Sequence, residues 1–211
     1  SARTSAIFSE TRRLIEVAAM EAGLFVGITA GLGVVIDLTG SQSSMVVNIA
    51  SIALGFLFVS AALRKGGLAP NGLQNGFGTY FGISLLAGLA TILGLVLLIV
   101  PGIVLLVRWS SAFGHGLADG DRVTEALGAS WRATGPHFWP ILLALLLPAV
   151  IMLIGLAAYA FADFGLEPAQ IASVVAGNGL LMAGSLLSTA VGMAVYSLTT
   201  RDNAGLQQVF E

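Results

Sequence analysis

The sequence contains no cysteine, and only 9% of its 211 residues are charged. The first absence excludes disulfides and thiolate chemistry and leaves the compartment open. The second excludes an ordinary soluble domain, in which about a quarter of the residues are charged. Too few polar residues remain to cover a surface facing water. Positive charge is not in excess either: nine Lys and Arg stand against eleven Asp and Glu, for a net charge of −2. With a pI of 5.6, the chain has no basic field suited to nucleic acid. What is present is apolar: 56% hydrophobic residues and a mean hydropathy of +0.93. Disorder requires the opposite balance. The 27 glycines follow no collagen-like period and match the glycine usage of membrane helices. The main solvent is therefore a bilayer.

A membrane-crossing helix takes about 20 mostly apolar residues to cover a core of roughly 30 Å. Six runs qualify: 17–38, 45–63, 77–100, 101–118, 138–162 and 169–198. Their unbroken apolar character excludes barrel strands, which alternate polar and apolar residues. The expected fold is an all-α polytopic membrane helix bundle, a single integral membrane domain over 1–211. Taken as one helix, residues 77–118 would be about 60 Å long, two crossings rather than one. Pro101 disfavours helical geometry at Val100 and Gly102 permits a reversal, so a Pro-Gly hairpin is expected there, with one kinked helix as the alternative.

Arg3, Arg12 and Arg13 precede the first run, Arg64 and Lys65 follow the second, Arg122 and Arg132 separate the fourth from the fifth, and Arg201 follows the sixth. With six crossings all eight fall on one side, and the opposite loops carry Asp37, Asp163 and Glu167. By the positive-inside rule both termini are cytoplasmic, and five crossings would scatter the charges over both faces. Residues 1–16 form a cytoplasmic N-terminal segment and 199–211 a cytoplasmic tail. The basic start leads into Glu16 and Glu21 rather than an apolar core, which argues against a cleavable signal peptide. Beginning at Ser1 without Met suggests processing or an engineered start. Ile7, Thr11, Leu14, Ile15 and Ala18 recur at helical spacing, which fits a short surface helix or an extension of the first crossing.

Three features stand out within the runs. Gly23, Gly27 and Gly31, and again Gly184, Ser188 and Gly192, place small residues every fourth position, a pattern that lets helices approach closely in lipid; frequent glycine alone also produces such matches. Residues 121–136 form an expected interfacial amphipathic helix on the cytoplasmic leaflet, with Asp121 as its cap and Gly135-Pro136 at its end. Val123, Ala126, Leu127, Ser130, Trp131 and Thr134 share one face, and Arg122, Glu125 and Arg132 the other. Trp131, Arg132 and Trp139 belong at headgroup depth; docking a partner protein is the alternative use of this helix. Arg108 is the basic residue left inside the membrane, where a charge is expensive and faces a partner or a cavity. Either it serves an anionic substrate or lipid headgroup, or it is structural, satisfied by backbone carbonyls, by Asp37 or Asp163, or by snorkelling outward. Glu21 poses the same question at the inner end of the first crossing.

His115 and Asp119, four apart, share a helix face with Asp121 and His137 nearby, yet no pattern supplies the three or four ligands a metal needs. No nucleophile elbow, phosphate loop or zinc-protease helix appears. No enzyme and no cofactor are expected. A cleft gathering His115, Asp119 and His137 would instead indicate chemistry on lipids.

The stretch Leu98-Ile99-Val100-Pro101-Gly102, then Arg108-Trp109, Glu125-Ala126-Leu127, Ser130-Trp131-Arg132 and Phe138-Trp139, resembles the membrane domain of glycerophosphoryl diester phosphodiesterases and related uncharacterised six-helix bacterial inner-membrane proteins. The motifs cover about a quarter of the chain. The resemblance implies a bacterial inner-membrane location. It does not carry over phosphodiester hydrolysis, which in those enzymes belongs to a separate soluble domain whose catalytic motifs are missing from these residues. The expected function is that of a non-catalytic accessory subunit of a membrane complex or a lipid-associated scaffold, with membrane lipids and a membrane protein as partners. The alternative is a small transporter or lipid-handling protein with a site near Arg108.

Overall fold

The computed structural model describes residues 3–40, 44–160 and 167–210. Its elements are α1 (Thr4–Val17), α2 (Ala19–Thr39), α3 (Ser44–Lys65), α4 (Phe77–Leu97), α5 (Ile99–Arg108), a short α6 (Ala112–Gly114) running into a π-helical turn (His115–Asp119), α7 (Val123–Thr134), a 3-10 turn (Gly135–His137), α8 (Phe138–Ala160) and α9 (Pro168–Phe210). Every element among the described residues is helical. Five stretches are long and apolar enough to cross a membrane: Ala19–Thr39, Met45–Lys65, Phe77–Leu97, Val123–Ala160 and Pro168–Arg201. The protein is a helical, multi-pass membrane protein.

The expected fourth crossing, 101–118, is not one such helix. Its apolar part, α5, is ten residues long, about 15 Å at 1.5 Å per residue, and the helix gives way at Trp109. The break between α4 and α5 also lies earlier than expected, at Leu98, whose backbone is extended at φ −154° and ψ 116°. Pro101 instead sits in the first turn of α5, where its missing N–H deprives the helix of nothing. Gly102 keeps the expected close approach: a Cβ there would lie 2.5 Å from the Leu95 nitrogen.

The chain divides into two compact units. The first comprises residues 1–18, 59–145 and 189–211. All nine Lys and Arg of the sequence fall in it. In α1, Ile7, Glu10, Thr11 and Leu14 are buried, the stripe that the helical spacing predicts. Ala18, also buried, ends the helix before α2 begins. Beyond α5, Gly116 lies against Ile83 and Thr79, and Gly120 against Gln74, while Gly94 meets Gly102. These contacts pair later residues with progressively earlier positions of, and before, α4. The 99–120 stretch therefore runs antiparallel to α4. A core of Ile83, Ala112, Ala126 and Leu127 joins α4, α6 and α7. The apolar face of α7 is thus covered by protein at Ala126, Leu127, Ser130 and Thr134. Trp131 (40% exposed) and Trp139 (70% exposed) remain at the surface, as does Arg132. The cap of α7 is Arg122 rather than Asp121, with its N–H donated to Glu125 Oε2 at 2.9 Å.

The second unit comprises residues 19–58 and 146–188. Its described part holds Glu21, Asp37 and Glu167 and no Lys or Arg; Asp163 and the expected helix end at 161–162 lie outside the described residues. In α2 the buried stripe is Ala22, Phe25, Thr29 and Gly33. Gly23, Gly27 and Gly31 lie off that stripe and are exposed, and a Cβ at any of them would meet nothing within 4 Å. Their expected role in packing within the bundle is not realised among the described residues; close approach occurs at Gly33, against the Asn178 side chain. In α9, Gly184 lies against Met152 and the Pro148 carbonyl of α8. Gly155 and Gly177 bring α8 and α9 together in the same way.

Candidate functional site

In the first unit the π-helical turn His115–Asp119 wraps around one aromatic side chain of α9. Tyr196 is 1% exposed. Gly114 leaves no room for a Cβ against its ring, and His115 meets it edge-on at 5.1 Å. The Tyr196 hydroxyl donates to Asp119 Oδ1 at 2.6 Å. Asp119 Oδ2 lies 2.8 Å from His115 Nδ1. Burial pushes the Asp119 carboxyl up, but the hydrogen bonds from His115 and Tyr196 outweigh it and hold the group below its ordinary range. An ionised carboxylate only accepts, so Nδ1 carries the proton. Nε2 of His115 is buried and has no hydrogen-bond partner among the described residues, a state that costs about 1–3 kcal/mol while it lasts.

The turn is held by its surroundings. The Asn75 amide donates to the carbonyls of Gly116 and Asp121 at 2.9 and 3.0 Å, and Gln74 N–H donates to Leu117 O at 2.9 Å. Backbone groups released by a π turn are thereby satisfied.

Beside the turn is a partly open cavity of about 370 Å³, lined by His115, Arg132, His137, Thr199, Pro136 and two alanines of α7. The chain has two histidines, and both line it. The Thr199 hydroxyl donates to Val195 O at 2.9 Å and so presents lone pairs. Arg132 and His137 make no ion pair among the described residues.

Arg108 lies elsewhere, at the end of α5. Its guanidinium sits 5.0 Å from the Trp131 ring centroid, Nη1 donates to Trp131 O at 3.3 Å, and Nε is buried without a partner among the described residues. The Arg108 carbonyl, freed by the helix break, accepts from Ser130 Oγ at 2.8 Å and Thr134 Oγ1 at 3.1 Å. Ser111 N–H donates to the same Ser130 hydroxyl. Buried backbone groups freed by a helix break need such partners, and Ser and Thr hydroxyls supply them here. Arg108 does not line the cavity described above.

No family model, curated protein or solved structure matches the chain.

The remaining expected site residues are dispersed. Glu21 occupies the first turn of α2, where a carboxylate is favoured by the helix dipole. Asp37, in the second unit, accepts from Asn178 Nδ2 at 2.8 Å. A second polar cluster, which the sequence did not single out, ties α1 to α9: Glu10 accepts from Ser197 Oγ at 2.6 Å and from Arg13 at 2.6 Å. The Arg13 hydrogen bond holds Glu10 below its ordinary value against burial, which works the other way. Of the sequence-level groupings, the structure pairs His115 with Asp119 and brings His137 to the cavity that His115 lines, while Asp119 is not among the lining residues. Tyr196 was not anticipated, because nothing local marks a tyrosine 77 positions away as the partner of an aspartate.

Proposed function

We propose that this chain is a six-crossing bacterial inner-membrane protein that acts without catalysing a reaction, as a lipid-associated scaffold or accessory subunit, with its basic ends in the cytoplasm. The observation that carries this reading is the partition of charge: nine Lys and Arg in one compact unit and none in the other. The sixth crossing is the broken stretch that pairs with α4, the two forming the apolar hairpin. With it, every basic loop falls on one side of the bilayer. Short connections and helix-lined faces leave little but lipid and membrane partners to bind. The bacterial location rests on the motif resemblance.

Native mass spectrometry of the protein released from membranes in a mild detergent tests the role. The reading expects a stoichiometric protein partner or retained anionic lipid. A bare monomer with neither contradicts it. A second reading, handling of a lipid headgroup, is favoured by the cavity at His115 and Arg132 rather than by Arg108, whose guanidinium is occupied with Trp131.

A further inference from the structure

We propose that the cavity between the π-helical turn, α7 and α9 is a binding site for a phosphate group, carried on a lipid headgroup or free. The two histidines of the chain and a cationic arginine converge on one partly open space of about 370 Å³. Arg132 supplies a planar fork of donors that matches phosphate oxygens and keeps its charge at any accessible pH. It is exposed and has no ion-pair partner among the described residues, so its charge is available to a ligand. His115 is pre-oriented, with Nδ1–H committed to Asp119 at 2.8 Å and the ring fixed edge-on to Tyr196 at 5.1 Å. Its Nε2 is buried and left without a partner among the described residues. That nitrogen is closed off from solvent, so it accepts from the P–OH of a monoanion once the side chains over it give way. Asp119 is the carboxylate bonded to the site, already shared between His115 and Tyr196. His137 adds a second imidazole. A free phosphate or phosphate monoester sets its terminal oxygens tetrahedrally and so meets the guanidinium and both rings from different directions. The inference is independent of the number of crossings and of any partner protein.

The full-length protein in detergent, labelled with ¹⁵N-histidine, gives a direct readout, because its only two histidines are both in the site. Inorganic phosphate is titrated at constant ionic strength against chloride, and in a second arm the protein is placed in nanodiscs of phosphatidylcholine with or without phosphatidic acid. Saturable shifts of both imidazoles are expected in at least one arm. Arg132→Gln and His115→Gln should each weaken that binding about tenfold, the loss of one charge-assisted hydrogen bond. Arg122→Gln, outside the cavity, should not. Saturation by inorganic phosphate identifies a free phosphate ligand, and a response confined to phosphatidic acid identifies a headgroup; either supports the site. Since His115→Gln also removes a bond to Asp119, Arg132→Gln, which alters an exposed side chain, is the decisive variant. No saturable shift in either arm, or shifts that Arg132→Gln leaves unchanged, overturns the proposal.

Discussion

Two kinds of glycine occur in this chain, and their spacing alone does not tell them apart. At Gly114 a side chain would enter the Tyr196 ring, and at Gly192 it would enter the Ser110 carbonyl. At Gly27 it would meet open space. Gly114→Ala should therefore cost about 1–3 kcal/mol through overpacking, while Gly27→Ala should leave stability equal or raise it by up to about 1 kcal/mol. Thermal unfolding in detergent compares the two; equal melting temperatures would contradict the packing assigned to Gly114. The carboxyls make a second residue-scale prediction. Glu10 and Asp119 both have values lowered in the folded chain. The unfolded chain therefore binds more protons across the carboxylate range. The stability they contribute is complete above their unfolded values, hence at neutral pH, and is lost as pH falls through the depressed folded values. The melting temperature should fall as pH is lowered from about 7 to about 3. The double variant Glu10→Gln, Asp119→Asn should start lower and fall less steeply. Parallel curves would show that these groups do not carry the acid sensitivity.

At the scale of elements, the broken helix after α5 depends on another helix. Ser130 and Thr134 of α7 take up the Arg108 carbonyl, and Ser130 also accepts from Ser111 N–H. Replacing Ser130 by Ala leaves the buried Ser111 N–H unpaired and the Arg108 carbonyl with Thr134 alone, and should cost about 1–3 kcal/mol. Ser173→Ala, where the hydroxyl is exposed and bonds within its own helix, should cost little. A comparable loss in both would remove the special role of Ser130. Arg108→Lys separates a structural from a binding role for that cation: with the Trp131 stacking lost, stability should fall by about 1 kcal/mol. Unchanged stability would contradict the packing role.

Much of this architecture can be read in the residues. The buried face of α1 follows from the spacing of Ile7, Thr11, Leu14 and Ala18, and His115 and Asp119 sit at the interval that brings them together across a helical turn. The break at Trp109 is harder to foresee because the groups that make it tolerable arrive about twenty residues later, on α7. Pro101 misleads for a physical reason: proline both ends helices and begins them, and here it begins α5. The glycine strip of α2 shows that close approach is possible without showing which face meets a neighbour, and Gly33 is the position used.

For the whole molecule the organising fact is the collection of every Lys and Arg into one unit. This would align all basic loops on the cytoplasmic side only if the broken stretch after α4 completes a crossing. The absence of cysteine makes that directly measurable, since a single introduced thiol has no background. Thr39→Cys, at the end of α2, and Asn71→Cys, in the segment between α3 and α4, are both at exposed positions. A third cysteine replaces Asp121, after the stretch in question. In intact cells a membrane-impermeant maleimide should label position 39 and spare 71 and 121, which should react once the membrane is opened. Labelling of 121 in intact cells while 71 stays protected would place the two ends of the α4 pairing on opposite sides and contradict the six-crossing account.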